Sequence, residues 1–314
     1  MEISLKKRKL WELIVQKSFL YLMRKLHLLG ATSQEIGGNK MFIPVRFSQM
    51  VDAHMLGNML DIEHYPLILA IVGRPGTGKT FQLRNYLKII GVQTFSVSAA
   101  DLESDRAGEP AKLLQQKYVE ASSSISSGKP SILLIDDIDT TLGEWKNHTG
   151  TVNHQDVLAF LMHIADAPCY IENIGTLNRV PIFFTGNYFD KMYKPLIREG
   201  RANRFDWEPT REEKISIVDS IFGFKDKKIA ERLIDAYPAE KLSFFSNMLV
   251  NKKIEQLVRI SGDVNFGLIL TKYGYRDKLY SKYCNLINDM LWENIAQEAQ
   301  VKNIANTREE LIID

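Results

Sequence analysis

The stretch Leu69–Phe81, "LAIVGRPGTGKTF", sets the reading of the whole chain. An apolar run of strand length gives way to two short glycine steps, then Lys79 and Thr80, then "TFQLRNYLKII" at helical spacing. Gly73, Gly78, Lys79 and Thr80 fill every fixed position of G-x-x-x-x-G-K-[ST]. The glycines let the backbone turn tightly, so that several N–H groups point at phosphate oxygens, and a helix opening at Lys79 adds its positive dipole end. The expected phosphate cradle is Gly73, Arg74, Pro75, Gly76, Thr77, Gly78, Lys79, Thr80 and Phe81, with Lys79 on the β and γ phosphates and Thr80 on Mg²⁺.

Working outward, strand-like apolar runs recur at Pro66–Val72, Val92–Val97, Ser131–Ile135, Val180–Thr185 and, more weakly, at "RFDW", Arg204–Trp207. Helical patterns lie between them, in "AKLLQQKYVEASSSI" and "QDVLAFLMHIA", and one precedes the first strand in "FSQMVDAHMLGNML". Strands alternating with helices predict an α/β domain with a parallel five-stranded sheet sandwiched by helices, over about residues 41–209. From Pro209 and Thr210 the strand signals stop. "REEKISIVDSIF", "KKIAERLIDAY", "KLSFFSNMLVNKKIEQLVRI" and "LYSKYCNLINDMLWENIAQEAQ" predict an all-helical lid over 210–300, followed by a tail, 301–314.

A nucleotide hydrolase needs an acid at the end of a neighbouring strand. "SILLIDDID" supplies two: Asp136 to hold the magnesium through water, and Asp137 to orient the attacking water. Asn187, ending the strand in "FFTGN", is placed to polarise the same water, although an isolated asparagine there is also a turn former. Arg198, Arg201 and Arg204 follow in "PLIREGRANRFDW". An arginine that reaches a γ-phosphate stabilises charge in the transition state; surface salt bridging is the alternative.

Composition narrows the partners. The 314 residues are 45% hydrophobic and 25% charged with a net charge of +2, so no global basic field nominates nucleic acid. Cys169 and Cys284 are too far apart for a metal-ligand spacing and suit a reducing compartment. No apolar run approaches the roughly 20 residues of a membrane span, and the N-terminus lacks the pattern of a cleavable signal or transit peptide. The expectation is a cytoplasmic protein, or a stromal one in a plastid. Residues 1–30 form a basic amphipathic helix pattern, with Lys6, Lys7, Arg8, Lys9, Lys17, Arg24 and Lys25 against Glu2 and Glu12; Gly30–Lys40 reads as a linker.

The order phosphate loop, "LLIDDID", "FTGN", "LIREGR", helical lid resembles the P-loop AAA+ ATPases. Within them, "LESDRAGEPAKLLQQKY", "TVNHQDVLAFLMHIADAP", "NRVPIFFTGNYFDKMYKPLIREGR" and "FDWEPTREEKISIVDSIF" are similar to the Rubisco activase family, over about Phe42–Gln256. "AGEPAK" and "YKPLIREGR" are far more specific than the phosphate loop. The resemblance implies an ATP- and magnesium-dependent ring, expected to be hexameric, with Arg198 and Arg201 reaching a neighbouring subunit's nucleotide. It also implies a protein client, Rubisco, remodelled to release inhibitory sugar phosphates. Leu102–Lys112 and Gly143–Thr151 would be pore loops, with Trp145 a candidate gripping residue. Three departures stand out: Asp136 replaces the common asparagine, Trp145 and His148 sit where activases are glycine-rich, and no arginine follows "FF" in "LSFFSNMLVNKK", where Lys252 and Lys253 are the nearest basic residues. They leave open an AAA+ switch acting on another complex or DNA, or a catalytically weak scaffold.

Overall fold

The computed structural model describes residues 33–36, 39–102, 106–142, 152–224 and 226–262. The basic segment, the loop carrying Trp145 and His148, Cys284, the helix expected over 279–300 and the tail lie outside the described residues. One compact unit contains Ile43–Glu208; a second contains Gln34–Phe42 together with the chain from Pro209 onward.

Two four-residue strands, β1 (Ser33–Ile36) and β2 (Asn39–Phe42), pair with each other where the sequence reads as a linker. Runs this short show no alternation, but the Gly37-Gly38 pair between them is a hairpin signal that a linker reading passes over. Helix α1 (Val45–Met59) follows, then β3 (Ile68–Val72), α2 (Lys79–Ile89) and β4 (Gln93–Ser98). Next come α3 (Glu109–Ser126), β5 (Ser131–Asp136), the short α4 (Ile138–Leu142) and α5 (Val152–Asp166). A two-residue hairpin, β6 (Tyr170–Ile171) and β7 (Gly175–Thr176), precedes β8 (Ile182–Gly186) and β9 (Ala202–Asp206). That hairpin was not expected; two residues per strand leave no periodicity to read.

The main sheet has the order β4-β5-β8-β3-β9 with every pair parallel. β3, β5 and β8 are buried along their whole length, which is why they read as unbroken apolar runs. β9 is an edge strand in which Ala202 and Phe205 are buried while Asn203, Arg204 and Asp206 are exposed, hence its weak signal. On one face Ile68, Ala70, Val72, Leu133 and Ile135 pack in one core with Leu114 and Tyr118 of α3 and Leu161 and Ile164 of α5. α1 is tied to the sheet by His54, whose ring meets Phe183 edge-on at 5.0 Å and whose Nε2 lies 3.2 Å from the Ile182 carbonyl. Burial pushes the pKa of this imidazole down to about 3, so it stays neutral and structural.

The second unit is helical after β2. α6 (Arg211–Phe222) packs against α7 (Lys227–Ala236), α8 (Leu242–Gly262) and β2. α6 starts in a capping box: Thr210 Oγ1 accepts from the Glu213 N–H at 3.3 Å, and the Thr210 N–H donates to Glu213 Oε2 at 2.8 Å. It ends at Gly223 in the left-handed region, φ 68°. Lys252, the first basic residue after Phe244 and Phe245, pairs with Glu255 on its own helix at 3.4 Å.

Candidate nucleotide site

The phosphate loop is held open from outside itself. A Cβ on Gly73 would stand 2.1 Å from the Trp207 carbonyl oxygen, so only glycine lets the loop leave β3 this close to the chain leaving β9. Trp207 is fully buried, donates its backbone N–H to the Val72 carbonyl at 2.7 Å and its indole Nε1–H to the Thr77 carbonyl at 2.9 Å. α1 clamps the indole, with Phe47 edge-on at 4.8 Å and the Arg46 guanidinium over the ring at 4.8 Å. Inside the loop Thr77 Oγ1 donates to the Arg74 carbonyl at 2.9 Å. Gly76 and Gly78 take φ of 82° and 81°, a region that costs other residues strain. Gly78 is the N-cap of α2 and offers no side-chain oxygen, so the first-turn N–H groups are suited to an anion.

Around the loop the structure brings together Lys79, Thr80, Asp136, Asp137 and Asn187. Lys79 Nζ donates to the Gly73 carbonyl at 2.8 Å, the Arg74 carbonyl at 3.1 Å and Asn187 Oδ1 at 2.9 Å. That last bond links the start of α2 to the residue that follows β8, the strand paired with β3. Thr185, fully buried, is the hub on the acid side: its hydroxyl accepts from Thr80 Oγ1 at 3.3 Å and from the Asp137 N–H at 3.1 Å, and donates to Asp136 Oδ1 at 2.9 Å. Arg84 of α2 is ion-paired with the other oxygen of Asp136. Hydroxyl and carboxylate oxygens at this spacing fit a hard divalent ion, which is commonly held by one or two protein groups and the phosphates themselves.

Asp137 sits at φ 51°, in the left-handed region that aspartate tolerates. Its carboxyl titrates above the ordinary range, chiefly through desolvation and then through the charges of Asp136 and Asp139, with Lys79 opposing. Asp139, 1% exposed, accepts through Oδ2 from the N–H groups of Asn187 and Tyr188, both at 3.0 Å. A Cβ on Gly186 would come within 2.8 Å of Asp139 Oδ1, so this carboxylate is seated on a glycine. It fixes the backbone that aims Asn187.

The three arginines separate. Arg201 is held against α5, with Nε donating to Asp166 Oδ1 at 2.7 Å and Nη1 to the Pro195 carbonyl at 2.6 Å; its guanidinium keeps the Asp166 carboxyl below the usual range. Arg204 lies over the Phe189 ring and is bonded to Asp206. Arg198 is the open one, with a side chain 61% exposed and Asp166 Oδ1 only 3.9 Å away. None of the three is among the partners of Lys79, Asp136 or Asn187 given above. Phe81 is 47% exposed beside the loop. The sequence reading overlooked Thr185, Asp139, Arg84 and Trp207. Only Thr185 carried a signal of its own, as a polar residue inside an otherwise apolar strand.

This geometry is that of a P-loop nucleotide-binding module, and residues 69–209 match the family described as ATPase family associated with various cellular activities (AAA). The α/β unit is an AAA module. It resembles Rubisco activase: the chain is 38% identical over 242 residues to the ribulose bisphosphate carboxylase/oxygenase activase of Anabaena sp., covering 72% of this chain and 58% of that protein. It is 41% identical over 215 residues to the chloroplastic activase of Phaseolus vulgaris, covering 65% and 48%, and 41% identical over 217 residues to the ribulose bisphosphate carboxylase/oxygenase activase of Nostoc sp., covering 65% and 52%. The chain thus spans about half the length of these curated relatives.

Proposed function

We propose that the chain is an ATP-hydrolysing AAA+ ring motor of Rubisco activase type, which remodels inhibited Rubisco so that tight-binding sugar phosphates are released. One observation carries the hydrolytic part: Lys79, at the start of α2, and Asn187, just past β8, meet at 2.9 Å, with Asp136 and Asp137 joined to the end of β8 through Thr185. Identity near 40% with three activases supports the choice of client.

Bound ATP with Mg²⁺ supplies the phosphoryl group and neutralises part of its charge. The chain's own residues do the rest. The loop N–H groups and Lys79 orient the β and γ phosphates, and Thr80 and Asp136 hold the metal. Asp137, made more basic by its surroundings, takes the proton of the attacking water, while Asn187, aimed by Asp139, orients that water. Arg198 reaches the nucleotide of the next subunit, which makes the ring, proposed to be a hexamer, a condition of turnover. The segment 102–112 carries the stroke to the client.

The decisive experiment incubates the protein with Rubisco of the same organism locked by a sugar phosphate, and follows carboxylase recovery with and without ATP. Recovery that needs ATP and is lost in Lys79→Ala is the expected result. ATP hydrolysis without recovery would point to a different client. A mixture of Arg198→Ala and Lys79→Ala proteins should regain turnover that neither has alone, because an intact site then forms between unlike subunits; no gain on mixing would remove the role across the interface.

A further inference from the structure

Arg84 is placed at the metal side of the site yet has no part in the scheme above. It lies on α2 four residues after Thr80, so the two share one face of the helix. Its guanidinium is ion-paired with Asp136 Oδ2, while Oδ1 of the same carboxylate takes the Thr185 hydroxyl at 2.9 Å. Both oxygens of the group expected to serve magnesium are therefore engaged by protein donors, one of them a full positive charge.

The pair is lopsided. The Asp136 side chain is 13% exposed and fixed at the end of β5, whereas that of Arg84 is 48% exposed. A long cation nearly half in water can swing outward at little cost, but the carboxylate cannot follow. Thr80 is linked to Asp136 through the Thr185 hydroxyl, so a cation held by Thr80 and Asp136 would have to share that carboxylate with the guanidinium. Two positive charges then compete for one carboxylate.

We propose that Arg84 is an internal competitor of magnesium at Asp136, which it holds until a magnesium–nucleotide complex displaces it, and that it thereby sets the free magnesium level at which the site loads. This rests on the nucleotide reading of the site. Arg84 acts as a positioning residue, by way of Asp136, and its effect belongs in metal dependence.

The test is an equilibrium titration of the full chain with magnesium chloride at fixed, sub-saturating N-methylanthraniloyl-ATP, read by fluorescence. Arg84→Met keeps a good helix former at an exposed position and removes the charge; Arg84→Lys keeps the charge. The half-saturating magnesium concentration should fall about tenfold in Arg84→Met, the scale on which groups bonded to a metal's ligands alter its affinity, and stay near wild type in Arg84→Lys. Binding of the analogue in EDTA should be the same in all three. Coincident magnesium profiles overturn the proposal. A higher magnesium requirement in Arg84→Met, or weaker binding in EDTA, makes Arg84 a phosphate ligand instead and equally overturns it. Should the wild-type protein fail to bind the analogue even at saturating magnesium, the nucleotide reading falls and takes the role of Arg84 with it; that result is distinct from profiles that coincide.

Discussion

The sheet carries a well-bonded cation at each end of its strands. At the carboxyl ends Lys79 is held by the Gly73 and Arg74 carbonyls and by Asn187 Oδ1. At the amino ends Arg179 is held by Asn58 Oδ1 at 2.8 Å, Asp61 Oδ1 at 2.9 Å and the Tyr65 carbonyl. Both side chains are largely withdrawn from water, Arg179 to 13% exposure and Lys79 to 6% for the whole residue. Arg179 is closed by a carboxylate of matching charge and staples the chain between α1 and β3. The oxygens that hold Lys79 in these three bonds carry no formal charge; two belong to the glycine loop at a helix N-terminus and the third to Asn187, just past β8. A buried cation is thus a staple or an anion site according to what surrounds it. Cavity size does not tell them apart either, since the cleft of about 330 Å³ beside Arg179 contains no residue of the phosphate loop.

Substituting the two cations breaks the comparison most directly. Lys79→Ala should take ATP turnover to background with little change in Tm. Arg179→Ala should leave turnover per folded molecule intact and lower stability by about 2–3 kcal/mol, because Asn58 and the Tyr65 carbonyl lose a charged donor. Measuring kcat and Tm on both variants decides it. Turnover lost in Arg179→Ala without a fall in Tm would show that the two ends are not separate in function.

Most of the residues gathered at the carboxyl ends were legible because they follow from local chain patterns. A glycine loop between a strand and a helix, and acids at the end of an apolar strand, are patterns within one segment. What stayed hidden depends on segments far apart in sequence. Trp207 reaches Thr77 across 130 positions, Thr185 reaches Asp136 across 49 and Arg84 reaches the same acid across 52. No local period encodes such meetings. Arg198 and Arg201, equivalent in the motif, differ because Asp166 of α5 and the Pro195 carbonyl capture Arg201 and leave Arg198 more open.

Asp137 sharpens the electrostatic half of the comparison. Its pKa is raised in the folded chain, so its ionised form is the one the fold disfavours. The stability it contributes is complete below the ordinary carboxylate range and is lost as pH rises through the folded value. Turnover has the opposite sign and rises over that window as the base ionises. Asp137→Asn, which keeps a residue tolerant of positive φ, should cost about 10³-fold in kcat, within the usual range for a general base. The variant should be slightly more stable at neutral pH. A pH–rate profile and a melt at pH 7 check both. An acid limb inside the ordinary carboxylate range would remove Asp137 from the role of base.

A smaller effect is expected at Asp139, which aims Asn187 and adds a negative charge near Asp137. Asp139→Ala leaves the Asn187 and Tyr188 N–H groups without their acceptor, and kcat should fall about 10²-fold, the scale of a misplaced catalytic group. The KM for ATP should hardly move. Asp139→Asn, which retains one acceptor oxygen, should recover most of the loss. A KM effect larger than the kcat effect would mean that Asp139 supports the phosphate loop instead.

The mildest test concerns Trp207, whose indole ties the phosphate loop to the edge strand. Trp207→Phe keeps an aromatic ring between Phe47 and Arg46 but removes the Nε1–H together with part of the buried indole. The Thr77 carbonyl then loses its donor in a buried setting, at a cost of about 1–2 kcal/mol. The loop contacts phosphate in the ground state and the transition state alike, so the loss belongs in binding: ATP affinity should weaken roughly 5- to 10-fold, the equivalent of about 1 kcal/mol, with kcat nearly unchanged. A fall in kcat at constant affinity would mean that the edge strand tunes loop geometry at the moment of reaction. At the amino ends of the strands, the loss of one donor from the Arg179 cluster has no such choice between binding and rate, and shows in stability alone.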